Sequence, residues 1–324
     1  MSEPIDLRNQ MRLRETSKLH KVDIDGRDLP KVLKVRSRYL KNTYLVDSPS
    51  AFRILTQPWL VGGSLANAAR KCSTELLEVA YKLAPEFRSV SYDSVAEVIP
   101  LAGALYYQIG AAFQILFNES LNQCFIGAKR ILDSETKTWK TSLSYLNFEA
   151  MPPSPLIIIG DTIATGGTIE QIITQTSEAA DQPRAMILFS IAGSALGAYK
   201  LSQLASRFEF PCYIFFTCAL FGVADNGTDM PWLHPATITT NENRMEILDT
   251  FGEQLGQEWC SVWDWGERAK YPQKHLSELL KRTERYLVDG EHKESEIVLK
   301  RIEKQIETAQ VRRADPLKIL TNDR

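Results

Sequence analysis

The sequence lacks the features that mark membrane proteins and nucleic-acid-binding proteins. Its 324 residues carry a formal net charge of −2, so no strong positive field is available to attract nucleic acid or an anionic lipid surface. The longest apolar stretch, IPLAGALYYQIGAAFQILF, contains glycine, tyrosine and two glutamines, which is typical of a buried loop and helix. The first residues are charged throughout and do not resemble a signal peptide. We therefore expect a cytoplasmic protein without a nucleic-acid or membrane partner.

Paired cysteines and clustered histidines are also missing. The five cysteines form no C-x-x-C motif, and two of them, Cys212 and Cys218, flank an apolar aromatic run where buried reduced thiols are expected. The four histidines, at positions 20, 234, 275 and 292, are too scattered to form a ligand set. This distribution argues against a zinc site, and we expect no metal bound directly by the protein.

What the sequence does contain is a regular alternation of strand and helix patterns. Its composition, 44% hydrophobic and 24% charged, is that of a globular protein with a sizeable core. Short apolar runs predict strands, and apolar residues at helical spacing predict the helices between them. The strands are predicted at 95–101, 123–131, 156–160, 186–193 and 213–220, and the helices at 64–84, about 104–118, 168–180 and 198–208. This alternation predicts an α/β fold with an open parallel sheet and helices on both faces.

Composition divides the chain into three segments. Residues 1–60 are polar and mixed and are interpreted as an N-terminal extension, either a hood over the site or a separate module. Residues 61–270 hold the strand and helix pattern, and within them 132–147 is polar enough to predict a mobile hairpin or loop. Residues 271–324 form a charged helical tail, which fits either an amphipathic helix pair packed on the core or a dimerisation arm.

The most informative stretch is LIIIGDTIATGGTIE, at 156–170. An apolar strand runs into Gly160 and Asp161 and opens through a Thr/Gly turn into a helix, and such strand ends bind ligands in open α/β sheets. The glycines remove Cβ atoms so that backbone amides can close around an anion, while threonine hydroxyls and the helix N-terminus add favourable donors. We therefore predict a phosphate cradle over residues 164–168.

Spacing excludes two common nucleotide-binding loops at this position. No lysine follows the last glycine, as a Walker A loop requires, and the G-x-G-x-x-G spacing of dinucleotide folds is absent. The pattern is instead a phosphate cradle preceded by one carboxylate. Asp161 is placed to accept hydrogen bonds from the hydroxyls of a sugar whose phosphate lies in the cradle.

Together with three other segments, this stretch resembles the type I phosphoribosyltransferases, and within them most closely the uracil phosphoribosyltransferase-like branch. IPLAGAL at 99–105 is similar to the family's pyrophosphate loop, which usually reads P-I-L-R-A-G-L. FIGAKR at 125–130, with the polar residues after it, is similar to the family's G-x-x-R-x-x-x-T segment. CSVWDWGER at 260–268 is similar to its base-site G-D-x-G-D-R. The resemblance covers about residues 60–270 and implies the type I phosphoribosyltransferase fold.

The resemblance implies an enzyme that transfers ribose 5-phosphate from phosphoribosyl pyrophosphate to a base or other aromatic acceptor, with Mg²⁺ on the pyrophosphate. It also implies a homodimer. Four sets of residues follow from it. The implied catalytic residues are Asp161, Arg130 and Asp264; the 5-phosphate residues are Ala164, Thr165, Gly166, Gly167 and Thr168; the pyrophosphate residues are Ala102, Gly103 and Arg130; and the acceptor residues are Trp263, Asp264, Trp265, Gly266 and Arg268.

Three positions depart from the family pattern. Gly160 stands where the uracil branch has an acid, Leu101 replaces an arginine that would meet pyrophosphate, and Trp263 replaces a small glycine at the base site. We therefore expect that uracil itself is not the acceptor. Three alternatives stay open: an active enzyme with an altered acceptor, a non-catalytic relative that binds phosphoribosyl pyrophosphate or a nucleotide as a sensor or scaffold, and a turn that only joins a strand to a helix.

Overall fold

Nine strands form the main sheet of this computed structural model, which describes residues 4–26, 29–132, 139–258, 265–288 and 296–311. In chain order the strands within these residues are β1 Lys18–Val22, β2 Lys31–Arg36, β3 Thr43–Asp47, β4 Val95–Leu101, β5 Asn122–Leu132, β6 Trp139–Asn147, β7 Leu156–Gly160, β8 Ala185–Ser190, β9 Gly193–Ser194, β10 Cys212–Thr217, β11 Ala219–Phe221 and β12 Ile238–Thr239. The order in the main sheet is β1-β2-β3-β10-β8-β7-β4-β5-β6, and β12-β11-β9 form a small second sheet.

The middle of the main sheet, from β3 to β5, is parallel throughout, and antiparallel pairs occur only at its two ends. Every residue of β7 and β8 is buried, as expected for parallel strands covered on both faces. The predicted α/β fold with an open, mostly parallel sheet is therefore confirmed. The strands predicted at 95–101 and 156–160 also have the observed bounds.

Two groups of helices flank the sheet. The helices within the described residues are α1 Met11–Thr16, α2 Pro49–Thr56, α3 Gly62–Leu83, α4 Pro85–Ser89, α5 Ile109–Phe117, α6 Gly167–Ala179, α7 Ala195–Ala205, α8 Asn241–Glu258, α9 Trp265–Lys270, α10 Pro272–Val288 and α11 Glu296–Val311. Helix α3 packs against α2 and α5, and α6 packs against α7. In the described part of the chain, none of these helices is both long and apolar enough to cross a membrane.

The N-terminal segment continues the main sheet. Strands β1, β2 and β3 form an antiparallel meander, and β3 then pairs in parallel with β10, so that Tyr44 lies opposite Phe215. Their rings stack with centroids 5.3 Å apart. The described part of residues 1–60, which composition set apart as an extension, therefore shares the sheet and the core with the rest of the chain.

Of the hairpin and the loop predicted for the polar stretch 132–147, the structure matches the hairpin, whose second strand is β6. Strand β6 pairs antiparallel with β5 from Phe125 opposite Asn147 to Leu132 opposite Trp139. It lies at the edge of the sheet, where one neighbour and one wet side allow a polar strand. The low apolar content of this segment therefore reflected its edge position. Residues 133–138, between the two strands, lie outside the described residues.

The helical tail packs within the chain. Helices α10 and α11 lie against each other, and α10 also contacts α9. Seven apolar positions suggested an amphipathic pair. Leu276, Leu279, Leu299, Ile302 and Ile306 are buried, whereas Leu280 is partly exposed and Ile297 is 76% exposed. In the described residues the two helices pack together, and a dimerisation arm stays a prediction. Formation of a homodimer stays a prediction.

Candidate functional site

A cavity of about 290 Å³ opens at the carboxyl end of β7. Strand β7 ends at Gly160, the chain turns through residues 161–166, and α6 begins at Gly167. The described residues that line the cavity are Ala128, Thr141, Asp161, Thr162, Ile163, Ala164, Thr165, Gly166, Gly167, Thr168, Ile169, Thr228 and Met230. The structure therefore brings Asp161 and all five predicted 5-phosphate residues to one cavity.

Glycine is required in the cradle at Gly166, which precedes α6. Its φ of +81° is left-handed, a region that other residues rarely adopt, and a Cβ on it would lie 3.0 Å from Cβ of Lys200. Gly167 differs, because a Cβ there would meet no atom within 4 Å. No side chain caps this end of α6, so its first amides, which have no acceptor within the helix, remain for an anion.

The backbone of the cradle is held in place by the segment after β8. The Ile163 N–H donates to the Ala192 carbonyl at 3.1 Å, and the Ser194 N–H donates to the Ile163 carbonyl at 2.8 Å. The Ser194 hydroxyl donates to the Ala164 carbonyl and accepts from the Gly197 N–H at 2.8 Å. These bonds hold the loop backbone in place before a ligand binds, which reduces the entropic cost of ligand binding.

Asp161 supplies the single carboxylate among the described lining residues, which include no lysine or arginine. The Thr162 N–H donates to its Oδ1 at 2.8 Å. Burial raises the pKa of Asp161 to about 7, and the hydrogen bond from Thr162 opposes this rise. The carboxyl group can therefore accept hydrogen bonds from sugar hydroxyls once it is ionised, and its ionisation responds to pH near neutrality.

Four lining residues lie outside residues 161–169, and the sequence did not predict them. They are Ala128 on β5, Thr141 on β6, and Thr228 and Met230 in the loop after β11. The Thr141 hydroxyl lies 3.1 Å from the Thr168 hydroxyl, so strand β6 reaches the cradle. Together these four residues add methyl, hydroxyl and thioether groups to the cavity wall.

The loop after β11 is tied to the N-terminal segment. The Gln10 side-chain Nε2 donates to the Val223 carbonyl at 2.7 Å, and the Val223 N–H donates to Gln10 Oε1 at 2.9 Å. The two residues are 213 positions apart. No local pattern predicts that Thr228 and Met230 reach the cavity, because the loop that carries them packs against segments remote in sequence.

Of the predicted pyrophosphate residues, Ala102 and Gly103 follow β4 and are not among the described residues that line the cavity. Strands β4 and β7 are parallel neighbours, so the end of β4 at Leu101 lies near the end of β7 at Gly160. Residues Gly103–Tyr107 form a 3-10 turn after β4. The Leu101–Ala102 peptide bond is cis, and a Cβ on Gly103 would meet no atom within 4 Å. Arg130 lies on β5 with its backbone opposite Thr141, while its side chain lies outside the described residues.

Arg268, predicted to lie near the acceptor, is a buried packing residue in this structure. The side chain is fully buried and donates to the carbonyls of Ile54 at 2.9 Å, Gln57 at 2.6 Å and Leu60 at 2.8 Å. These carbonyls lie in and after the last turn of α2, where they lack helical partners. Burial lowers the pKa of Arg268 to about 9. We therefore correct the prediction for Arg268, because its donors join α9 to α2.

The other predicted acceptor residues lie before α9 and in its first turn. Trp263 and Asp264 lie outside the described residues, as does the side chain of Trp265. Gly266 lies in the first turn of α9 and is partly exposed. Helix α9 contacts the turn Gly103–Tyr107, so this part of the segment approaches the loop after β4.

The site fits a magnesium ion bound mainly by a phosphate ligand. The described residues contain no group of three or more His, Cys, Asp or Glu side chains placed to hold a metal. Mg²⁺ usually keeps several waters and binds through one or two carboxylates together with substrate phosphates. Asp161 is the carboxylate available for that role, directly or through water.

Comparison with known proteins gives similarity only at the level of solved structures. No family model and no curated protein matches the chain. Adenine phosphoribosyltransferase from Leishmania donovani is 11% identical, with a TM-score of 0.36 over 62% of this chain and 87% of that one. The Trypanosoma brucei enzyme is 12% identical, with a TM-score of 0.35 over 55% and 84%. The Giardia lamblia enzyme is 14% identical, with a TM-score of 0.30 over 66% and 98%. These TM-scores are low, so inference about function rests on the site itself.

Proposed function

We propose that this protein is a phosphoribosyltransferase that transfers ribose 5-phosphate from phosphoribosyl pyrophosphate to a base or another aromatic acceptor. One observation carries the proposal. The Thr/Gly loop at the carboxyl end of a buried parallel strand lines a cavity together with the uncapped N-terminus of α6 and Asp161, the single carboxylate among the described lining residues. Free helix amides suit a phosphate, and a carboxylate suits the hydroxyls of a sugar.

In this proposal the cradle binds the 5-phosphate through amides and the hydroxyls of Thr165 and Thr168. Asp161 accepts hydrogen bonds from the ribose hydroxyls, and its negative charge stabilises the positive charge that grows on the ribose as pyrophosphate leaves. Ala102, Gly103 and Arg130 are proposed to hold pyrophosphate beside the cradle. A bound Mg²⁺ would neutralise charge on the leaving pyrophosphate.

The acceptor is proposed to enter between the cradle and the wall formed by Thr141, Thr228 and Met230. Trp263, Asp264, Trp265 and Gly266 remain proposed contributors to the acceptor site. We do not extend the proposal to the uracil branch, because that match depended in part on Arg268, which is used in packing α9 on α2. The cytoplasmic location and the homodimer remain predictions.

A second candidate function is binding of phosphoribosyl pyrophosphate or a nucleotide without catalysis, as a sensor or a scaffold. Two observations favour it. Leu101 provides no cation at the end of β4, and no lysine or arginine is among the described residues that line the cavity. An anion would then bind mainly through backbone amides and hydroxyls, and a leaving pyrophosphate would lack charge compensation from those residues.

The test is pyrophosphate release with phosphoribosyl pyrophosphate, Mg²⁺ and a panel that includes adenine, uracil and other aromatic acceptors. The enzyme proposal predicts release with at least one acceptor other than uracil. Calorimetry on the same protein separates the alternatives. Tight binding of phosphoribosyl pyrophosphate without release for any acceptor would support the non-catalytic candidate. Absence of binding would overturn both functions.

A further inference from the structure

Tyr107 connects the loop after β4 to the cradle. It is the last residue of the turn Gly103–Tyr107, yet its side chain is fully buried. Its hydroxyl accepts a hydrogen bond from the Ile191 N–H at 3.2 Å and lies 3.4 Å from the Thr162 hydroxyl. Its own carbonyl accepts from the Ser73 hydroxyl on α3 at 2.6 Å. One residue therefore joins three segments that are far apart in sequence.

Gly160 leaves the space that the Tyr107 ring occupies. A Cβ on Gly160 would lie 2.9 Å from Cδ1 of Tyr107 and 2.6 Å from Cδ1 of Ile109. Contacts that short require a neighbour to move, and both neighbours are buried. The glycine at the end of β7 and the tyrosine after β4 are therefore complementary, and any side chain at position 160 would displace the ring.

The partners of Tyr107 adjoin the two predicted anion sites. Thr162, which lies beside the tyrosine hydroxyl, also donates its N–H to Asp161. At the other end of the same turn are Ala102 and Gly103, the proposed pyrophosphate residues. Rotation or withdrawal of the Tyr107 ring would therefore change the distance between the pyrophosphate loop and the cradle.

We infer that Tyr107 is a positioning residue that fixes the separation between the loop after β4 and the phosphate cradle, so that one sugar bearing phosphate groups at both ends can bind across them. The inference rests on the proposed function, since it assumes that the cradle holds the 5-phosphate. Beyond that function, it assigns a role to Tyr107 and to Gly160, whose missing side chain leaves room for the tyrosine ring.

The test compares two ligands on the Tyr107→Phe variant by calorimetry in the presence of Mg²⁺. Phosphoribosyl pyrophosphate spans both loops, whereas ribose 5-phosphate reaches only the cradle. Loss of the hydroxyl, which contacts the Ile191 N–H and the Thr162 hydroxyl, should weaken phosphoribosyl pyrophosphate binding about 10-fold and change ribose 5-phosphate binding less than about twofold. A general loss of stability would weaken both ligands alike and so does not produce this split.

Tyr39→Phe is the matched control. Tyr39 is also a buried tyrosine, it does not line the cavity, and its hydroxyl has no hydrogen-bond partner among the described residues. This variant should leave both affinities unchanged. If Tyr107→Phe also leaves the ratio of the two affinities unchanged while the wild-type protein binds both ligands, the positioning role is wrong and the proposed function stands.

Hydrogen exchange separates failure of the inference from failure of the proposed function. In Tyr107→Phe, the Ile191 amide and the amides of residues 101–108 should exchange faster than in the wild-type protein and in Tyr39→Phe, without any ligand. If the wild-type protein binds neither ligand, the proposed function fails. If exchange in Tyr107→Phe is unchanged in that case, the positioning role is wrong as well. Faster exchange would support the role of Tyr107 in holding the loop after β4.

Discussion

The loops after β4 and β7 are neighbours at the carboxyl ends of two inner strands of the sheet. They differ in whether they leave space or fill it. The β7 loop leaves space: its glycines and threonines surround a cavity, and a Cβ on Gly167 would meet nothing. The β4 loop fills space, because the buried ring of Tyr107 lies against Gly160 and its hydroxyl contacts Thr162 and Ile191. Both loops adjoin Gly160, where the absence of a side chain leaves room for the Tyr107 ring.

This difference shows that glycine has two separate roles within one short stretch. At Gly166 the backbone needs a left-handed conformation, and at Gly160 a neighbouring side chain needs the volume. Only the first role belongs to ligand binding. A substitution at Gly160 should therefore change folding stability first, while substitutions in residues 164–168 should change binding first.

The largest expected effect is on ligand binding by the cradle. Thr165→Val combined with Gly167→Val removes a hydroxyl donor and crowds the first amides of α6. We expect affinity for ribose 5-phosphate to fall about 100-fold or more, since hydrogen bonds to a charged phosphate are among the strong ones. Calorimetry measures the loss. Thr174→Val is the control, because its hydroxyl bonds the Glu170 carbonyl within α6 at 2.8 Å, away from the cavity. Retained affinity in the double variant would show that the cradle does not bind the phosphate of ribose 5-phosphate.

The next effect sharpens the contrast between the two glycines. Gly160→Ala forces a Cβ against Tyr107 and Ile109, and overpacking of this kind should lower the free energy of unfolding by about 1–3 kcal/mol. Gly167→Ala places a methyl group in open space at the start of a helix and should change it by less than about 0.5 kcal/mol. Urea denaturation gives both values. Equal stability of the two variants would contradict the complementarity of Gly160 and Tyr107.

A third effect concerns the pH dependence of stability through Asp161. Its folded pKa of about 7 exceeds the ordinary value of 3.8, so between these values the folded protein binds more protons than the unfolded chain. Stability contributed by the protonated carboxyl is therefore lost as pH rises, and the loss is complete above about pH 7. Asp161→Asn has no carboxyl at this position and therefore no such loss. The melting temperature of the variant minus that of the wild-type protein should be larger at pH 8 than at pH 4.

A control is built into that measurement. Burial also raises the pKa of Glu97, on β4, to about 7, so the wild-type protein has a second carboxyl with the same pH dependence. Taking the difference between Asp161→Asn and wild type at each pH cancels the contribution of Glu97. A difference that does not grow with pH would show that the Asp161 carboxyl is not held in a buried setting.

Prediction from sequence succeeded where the determining interactions are local. The strand at 156–160 has the predicted bounds, and α6 begins at Gly167, one residue from the predicted start at 168. Apolar runs, the Thr/Gly turn and helical spacing act over a few residues, so the pattern carries the information. For 132–147 the polar composition left a hairpin and a loop open, and only the antiparallel pairing of β5 with β6 at the sheet edge decided for the hairpin.

By itself, the sequence determined an α/β sheet, a Thr/Gly cradle with one carboxylate before it, and the sites where a family pattern is broken. Only the tertiary structure decided why Gly160 is a glycine, that Arg268 is used in packing, and that Thr228 and Met230 reach the cavity. The physical reason is the distance along the chain. Tyr107 meets Gly160 across 53 positions, and Gln10 holds the loop of Thr228 across 213, so steric fit and hydrogen bonding between remote segments set these roles.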